Sequence, residues 1–306
     1  MRSGSWREFF ARSAAPAEIL DPLYRFAREL KSVDEAPAAM RAALTAALPP
    51  QAAIRSLIFS PGFQSISAEA ATLFAVLDRH WVVVSGMAEG EARVDRAAFA
   101  DTLSAELTTV LLSGRLKLDY AAADGAHAAV IEFNTVMDRI YRRALRLVLD
   151  GVEGMAGSPA IADPRLDGLV KHAPIKFRCA ARDCRPPAQS VVAARHWPAA
   201  MARGRGRMRR EHAPQAMLLL TERELICVAE ERTPWWLQFV RRARYGYVAT
   251  FCPLSRLTGW RIAAGADVAT LELELSAPGG GATVTAGLPR EEQRAVAAML
   301  GERLAA

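Results

Sequence analysis

The chain has 306 residues, 51% of them apolar and 24% charged, with a net charge of +6. This is the composition of a globular protein long enough for two ordinary cores. It excludes a protein that crosses a bilayer by helices, because no apolar run approaches the roughly 20 residues such a helix needs.

The first 50 residues read as helical. MRSGSWREFFARS carries Glu8 among its aromatics and lacks an apolar h-region, so no signal peptide is expected and the cytoplasm is the expected compartment. Leu20, Leu23, Tyr24, Ala27 and Leu30 recur at the spacing of one apolar helix face. Residues 38–48 make a second, Ala-rich helix, stopped by Pro49-Pro50. Such a pair packs against the domain that follows, or offers its apolar face to a partner.

From Ile54 the texture changes to short β-branched and apolar runs. Residues 54–59, 73–77 and 81–85 read as strands, with Asp78-Arg79-His80 as a tight turn. Residues 107–112 and 115–120 are strands separated by Ser113-Gly114, a hairpin signal, and 127–133 is another. Asn134 suits the N-cap of a helix whose inner side carries Val136, Met137, Ile140, Tyr141, Ala144 and Val148. Arg139, Arg142, Arg143 and Arg146 line the other side and read as a solvated face.

Residues 151–164, GVEGMAGSPAIADP, are rich in Gly and Pro and read as a linker. The expected division is therefore a helical segment over 1–50, a first domain over 51–150, a linker over 151–168 and a second domain over 169–306. In the second domain 175–177, 190–193, 217–220, 225–228, 247–251, 256–262, 271–275 and 282–286 read as strands. Pro289 opens a closing helix that runs to about Leu304, with Glu291 and Glu292 in its first turn.

One pattern occurs twice. LFAVLDRHWVVVS over 73–85 and MLLLTERELICVA over 217–229 each place an acidic-Arg turn between apolar strands. Asp78-Arg79 falls on Glu222-Arg223 and Trp81 on Leu225, each 144 residues on. Phe-containing stretches ending in Leu-Ser follow both, over 99–104 and 251–255. Two similar β domains in tandem account for this best. Trp81 and Leu225 should then point into their respective cores.

About seven short strands closed by one helix is the order of a pleckstrin-homology-like (PH-like) barrel. LLLTERELICVAEE, FCPLSRLTGWRI and GLPREEQRAVAAML resemble the hairpin, the following strand and the closing helix of bacterial PH-like families, a match covering roughly 217–304. The first half joins them through the internal repeat. The implied fold is α+β: two tandem PH-like β-barrels, each with a C-terminal capping helix, preceded by an N-terminal helical segment. PH-like domains as a class bind phosphoinositide headgroups, peptides or other domains, and fold alone does not choose among these. No basic phosphoinositide motif stands in a first hairpin.

Charge and aromatics mark two candidate contact segments. Residues 178–211 hold nine Arg against Asp183 and Glu211, a local charge of +7. Within them ARGRGRMRREH, over 202–212, brings Arg205, Arg207, Arg209 and Arg210 into an Arg- and Gly-rich insertion suited to phosphate or to solvent. TPWWLQFVRRARYGY, over 233–247, sets Trp235, Trp236 and Phe239 beside Arg241, Arg242 and Arg244. That is the composition of a membrane-interface anchor, of a protein–protein hot spot, or of aromatics folded inward. Nucleic acid is not the expected partner, since Trp197 is the one aromatic near the Arg-rich insertion.

Cys179, Cys184, Cys227 and Cys252 fit a reducing compartment as free thiols. The C-x4-C spacing of the first two, with His172 and His196 nearby, is wider than most zinc pairs. No nucleophile–base, Walker or GxGxxG signature is present; GRGRMRR lacks the third Gly. The expectation is a non-enzymatic interaction or scaffold protein with no cofactor and no bound metal. Its partner is another protein or, alternatively, an anionic membrane at the inner face.

Overall fold

The computed structural model describes residues 26–49, 52–61, 71–86, 92–155, 157–203, 209–231, 246–265 and 268–304. It is an α+β fold of antiparallel sheets with few helices. After a short strand β1 (Arg28–Glu29), helix α1 (Ala38–Ala47) leads into β2 (Ile54–Ser60), β3 (Thr72–Leu77), β4 (His80–Ser85) and β5 (Arg93–Ala98). A 3-10 turn at Phe99–Asp101 redirects the chain into β6 (Thr102–Val110), β7 (Ser113–Ala122) and β8 (Gly125–Asn134), and helix α2 (Asp138–Val152) follows.

The second half begins with α3 (Leu166–Leu169) and α4 (Ile175–Cys184), then β9 (Val191–Trp197). A separate hairpin, β10 (Ala200–Arg203) with β11 (Arg209–Ala213), is inserted before β12 (Ala216–Thr221), β13 (Glu224–Glu230) and β14 (Gly246–Pro253). A 3-10 turn at Leu254–Arg256 leads to β15 (Leu257–Ala263), β16 (Val268–Ala277), β17 (Gly280–Pro289) and the closing helix α5 (Gln293–Leu304).

The two halves thus repeat one order: helix, four strands, 3-10 turn, three strands, 3-10 turn, helix. The repeat extends further than the hairpin visible in sequence. Both leading helices, α1 and α4, have 10 residues and a proline N-cap, Pro37 and Pro174. Both turn arginines accept from the first residue of the following 3-10 turn, Phe99 N–H to Arg79 O at 2.9 Å and Leu254 N–H to Arg223 O at 2.8 Å. These bonds make Phe99 the counterpart of Leu254. The two Leu-Ser pairs are not equivalent, since Leu103-Ser104 lies inside β6 and Leu254-Ser255 inside the 3-10 turn.

Strands β3 and β12 are buried at every position, which explains why TLFAVL and AMLLLT are continuously apolar rather than alternating. On one face of β3–β4, Leu73, Ala75, Val82 and Val84 pack with Met40 and Leu44 of α1. The matching residues Met217, Leu219, Ile226 and Val228 share a core with Phe177, Ala180 and Ala181 of α4. On the opposite faces Trp81 packs in the core that contains α2, and Leu225 in the core that contains Val296 and Leu300 of α5. Both are fully buried, as their registers require.

Among the described residues no barrel closes: the sheets are open, of five, seven, three and two strands. The reason is the outer edge of β6. The 3-10 turn at Phe99–Asp101 separates β6 from β5, and the freed edge pairs with β14 of the other half, from Gly246↔Val110 to Phe251↔Ala105. The resulting seven-stranded sheet runs β8-β7-β6-β14-β13-β12-β9, crossing the division expected at 151–168. Gly246 permits this approach, since a Cβ there would sit 2.5 Å from the Thr109 carbonyl oxygen.

Four local expectations are corrected. Ser113-Gly114 is strand, and the turn is Leu111-Leu112; Gly114 is glycine because a Cβ would collide with the Phe133 ring. Residues 175–177 are helical, part of α4. Arg28 and Glu29 pair with Phe59 and Ile58 as strand, so the helix expected through Leu30 does not extend there; Leu20, Leu23 and Tyr24 lie outside the described residues. The Arg face of α2 is not uniformly solvated. Arg142 and Arg146 are directed at the second half, whereas Arg139 is exposed.

Candidate functional site

The seven-stranded sheet has two ends of opposite character. At one, the α2 residue Arg146 meets Glu224 of β13. Its Nη1 donates to Glu224 Oε2 at 3.0 Å, its Nη2 to Oε1, and its Nε to Asp150 at 2.8 Å. Gln189 Nε2 donates to Glu224 Oε1 at 3.2 Å, while Thr221 Oγ1 donates to Gln189 Oε1 at 2.7 Å. Glu224 has no exposed surface. Burial pushes its carboxyl above the ordinary carboxylate value, against the pull of Arg146.

Other bonds cross between the halves here. Arg256 donates to the carbonyls of Thr102 and Phe99, at 3.1 and 3.2 Å, and Ser255 Oγ donates to Glu153 at 2.8 Å. This end is a satisfied lock between the halves, with its polar groups already engaged.

The other end is built differently. Strands β6, β13 and β9 finish there and β7, β12 and β14 begin there, as the pairs Gly246↔Val110, Glu230↔Tyr247 and Ala216↔Trp197 require. The β10–β11 hairpin joins β9 to β12 at this end, and residues 232–245 join β13 to β14 at the same end. The strands that flank the Arg-rich insertion and the Trp/Arg segment, which 20 residues separate in sequence, therefore finish and begin at one end of one sheet. Trp235, Trp236, Phe239, Arg241, Arg242 and Arg244, with Arg205 and Arg207, lie outside the described residues. Of Arg209 and Arg210 only the backbone placement in β11 is described.

The two-residue turn between β6 and β7 stands at this end as well. Leu111 is 52% exposed, Leu112 60% and Val136, in the 3-10 turn after β8, 63%. The chain holds them in place: Thr135 N–H donates to Leu112 O at 3.1 Å, and Thr135 Oγ1 to Leu111 O at 2.5 Å. The Asn134 side chain caps Val136 N–H at 3.0 Å, at the start of the 3-10 turn rather than of α2, which begins at Asp138, and Val136, expected on the inner side of that helix, is exposed instead. Sequence reading missed this apolar turn, because Ser113-Gly114 is the stronger turn dipeptide and Leu-Leu reads as strand.

Beside this end a cleft of about 610 Å³ opens between β13–β14 and β16–β17, lined by Thr250, Thr270, Thr285, Glu106, Glu230 and Cys227. Glu230 pairs with Lys176 at 3.1 Å. Burial pushes the Cys227 thiol up to about 12, so it stays protonated near neutrality. These residues line the cleft with hydroxyl and carboxylate groups. Cys179 and Cys184 are free, one exposed and the other buried. Among the described residues no group of three His, Cys, Asp or Glu is arranged for a metal ion, and no helix is long and apolar enough to cross a membrane.

The sequence matches no protein-family model and no curated protein.

Proposed function

We propose that the chain is a non-enzymatic interaction protein of two PH-like modules fused through one sheet, making its contacts at the sheet end that carries the Leu111-Leu112 turn. The repeated order of four strands, three strands and a closing helix supports the PH-like reading of each half. The observation that carries the function is convergence. The strands that flank the two composition-biased segments finish and begin at the end that carries the exposed apolar turn, while contacts between the halves gather at the opposite end. The Thr-lined cleft beside that end supports binding rather than reaction.

A photo-activated cross-linking residue tests this in cells. Placed at Leu112 it should give adducts, to protein or to lipid. Placed at Asp124, in the exposed β7–β8 turn at the opposite end, it should give none. Adducts from Asp124 with none from Leu112 would overturn the assignment.

A further inference from the structure

We infer that copies of this chain associate head to tail, the open edge of β15 in one copy pairing antiparallel with the open edge of β5 in the next. The contact repeats between copies the junction that β6 and β14 make within one copy. It is separate from the end that carries the Leu111-Leu112 turn.

The first observation is that the repeat keeps one register. Strand β6 pairs with β7 through Thr102↔Tyr120 and then, past a bulge, through Ser104↔Asp119. Strand β15 pairs with β16 through Leu257↔Leu275 and then, past a bulge, through Gly259↔Glu274, each residue 155 further on. The last residues of β5 and β14, Ala98 and Pro253, are also 155 apart, and lie opposite His80 and Glu224. Strand β15 is therefore the counterpart of β6, and β5 the counterpart of β14.

The second is that only two of these four edges meet. Strand β6 pairs with β14, but among the described residues β5 pairs with β4 alone and β15 with β16 alone. They belong to different sheets, so one copy leaves both edges open. An open edge is a template for pairing with another chain.

The third is chemistry. Carrying the β6–β14 register across by 155 residues sets Val94 opposite Ile262, Asp95 opposite Arg261 and Arg96 opposite Trp260. These are apolar with apolar, acid with base and guanidinium with indole, each a favourable cross-strand pair. Burial differs as an unfilled junction requires. At the internal junction Ala105, Leu107, Ala249 and Phe251 are at most 3% exposed, whereas Val94 is 40% exposed and Trp260 and Ile262 are half-buried. A second copy supplies the matching edge in a register the chain already uses. Each copy offers one edge of each kind, so the contact is heterologous and builds a ring or an open row.

The test is analytical ultracentrifugation of the full chain from about 1 μM to about 1 mM, the span over which weak and moderate contacts form. The mean mass of the parent should rise to twice the chain mass or beyond. Val94→Lys and Ile262→Lys should each stay at one chain mass, because each spoils one edge. Mixed in equal amounts they should reach twice the chain mass and stop, since the intact β15 of the first meets the intact β5 of the second. A parent that stays at one chain mass overturns the inference, as does association that Val94→Lys leaves unchanged, or a mixture of folded variants that does not pair. Should Ile262→Lys unfold, Val94→Lys decides alone, its position being exposed. Arg93 Nη2 donates to Ala128 O at 3.3 Å, so β5 runs beside the β7–β8 hairpin. A cross-linker at Asp124 that captures only a second copy therefore reports this contact and leaves the assignment above intact.

Discussion

Trp81→Ala should lower the free energy of unfolding by about 3–5 kcal/mol, measured by urea denaturation. Trp81 is fully buried between the two sheets of the first half, and two contacts fix it there. Its indole Nε1 donates to Thr102 Oγ1 at 2.9 Å, tying β4 to the start of β6. Its ring meets Tyr120 of β7 edge-on, with centroids 5.1 Å apart. Tyr120 in turn donates to the buried Asp95 at 3.0 Å, and Asp95 accepts from Arg93 at 2.8 Å. Truncation removes a large apolar volume and loosens the ring that holds this polar chain. Trp81→Phe keeps most of the volume and loses only the indole hydrogen bond, so it should cost clearly less. A cost below about 1 kcal/mol for the alanine variant, within the range of ordinary surface changes, would contradict the burial on which the repeat rests.

The repeat was legible where local chemistry marks it. An acidic-Arg turn between continuous apolar runs is a dense signal, and Trp81 and Leu225 occupy equivalent buried places. Helix α4 was missed because Ile175 and Phe177 read as alternation. The better signal was Phe177, Ala180, Ala181 and Cys184, an i, i+3, i+4, i+7 series after Pro174. Strand β5 was missed because RVDRAA carries charge into the core, where Asp95 is held by Tyr120 and Arg93. The β6–β14 pairing joins residues 136 or more apart, and nothing local marks which edge a strand leaves open. The candidate segments were visible through composition alone. Their common root could emerge only once the order of the seven strands was known.

Glu224→Ala should be comparably destabilising, by about 3–5 kcal/mol, because it leaves the Arg146 guanidinium largely buried without its main partner. Burial disfavours the Arg146 charge, and the carboxylates of Glu224 and Asp150 outweigh that to hold its pKa above the ordinary arginine value. Asp150 remains within 2.8 Å, so part of the charge stays compensated. Replacing both partners at once, Arg146→Met with Glu224→Leu, should recover most of the loss, since an apolar pair has no charge to desolvate. Additive losses in that double variant would mean that Arg146 and Glu224 act separately rather than as the lock between the halves.

The central structural claim is that the halves share one sheet, and amide hydrogen exchange on β6 and β14 tests it most directly. Over 105–110 and 246–251 the amides that face across this junction should exchange as slowly as those between β13 and β14, opening only with global unfolding. If the β14 amides facing β6 instead exchange as fast as those on the free edges of β8 and β9, the junction does not hold in solution. The two halves would then be separate modules, and the Leu111-Leu112 turn would no longer share a sheet end with the strands that flank the two composition-biased segments.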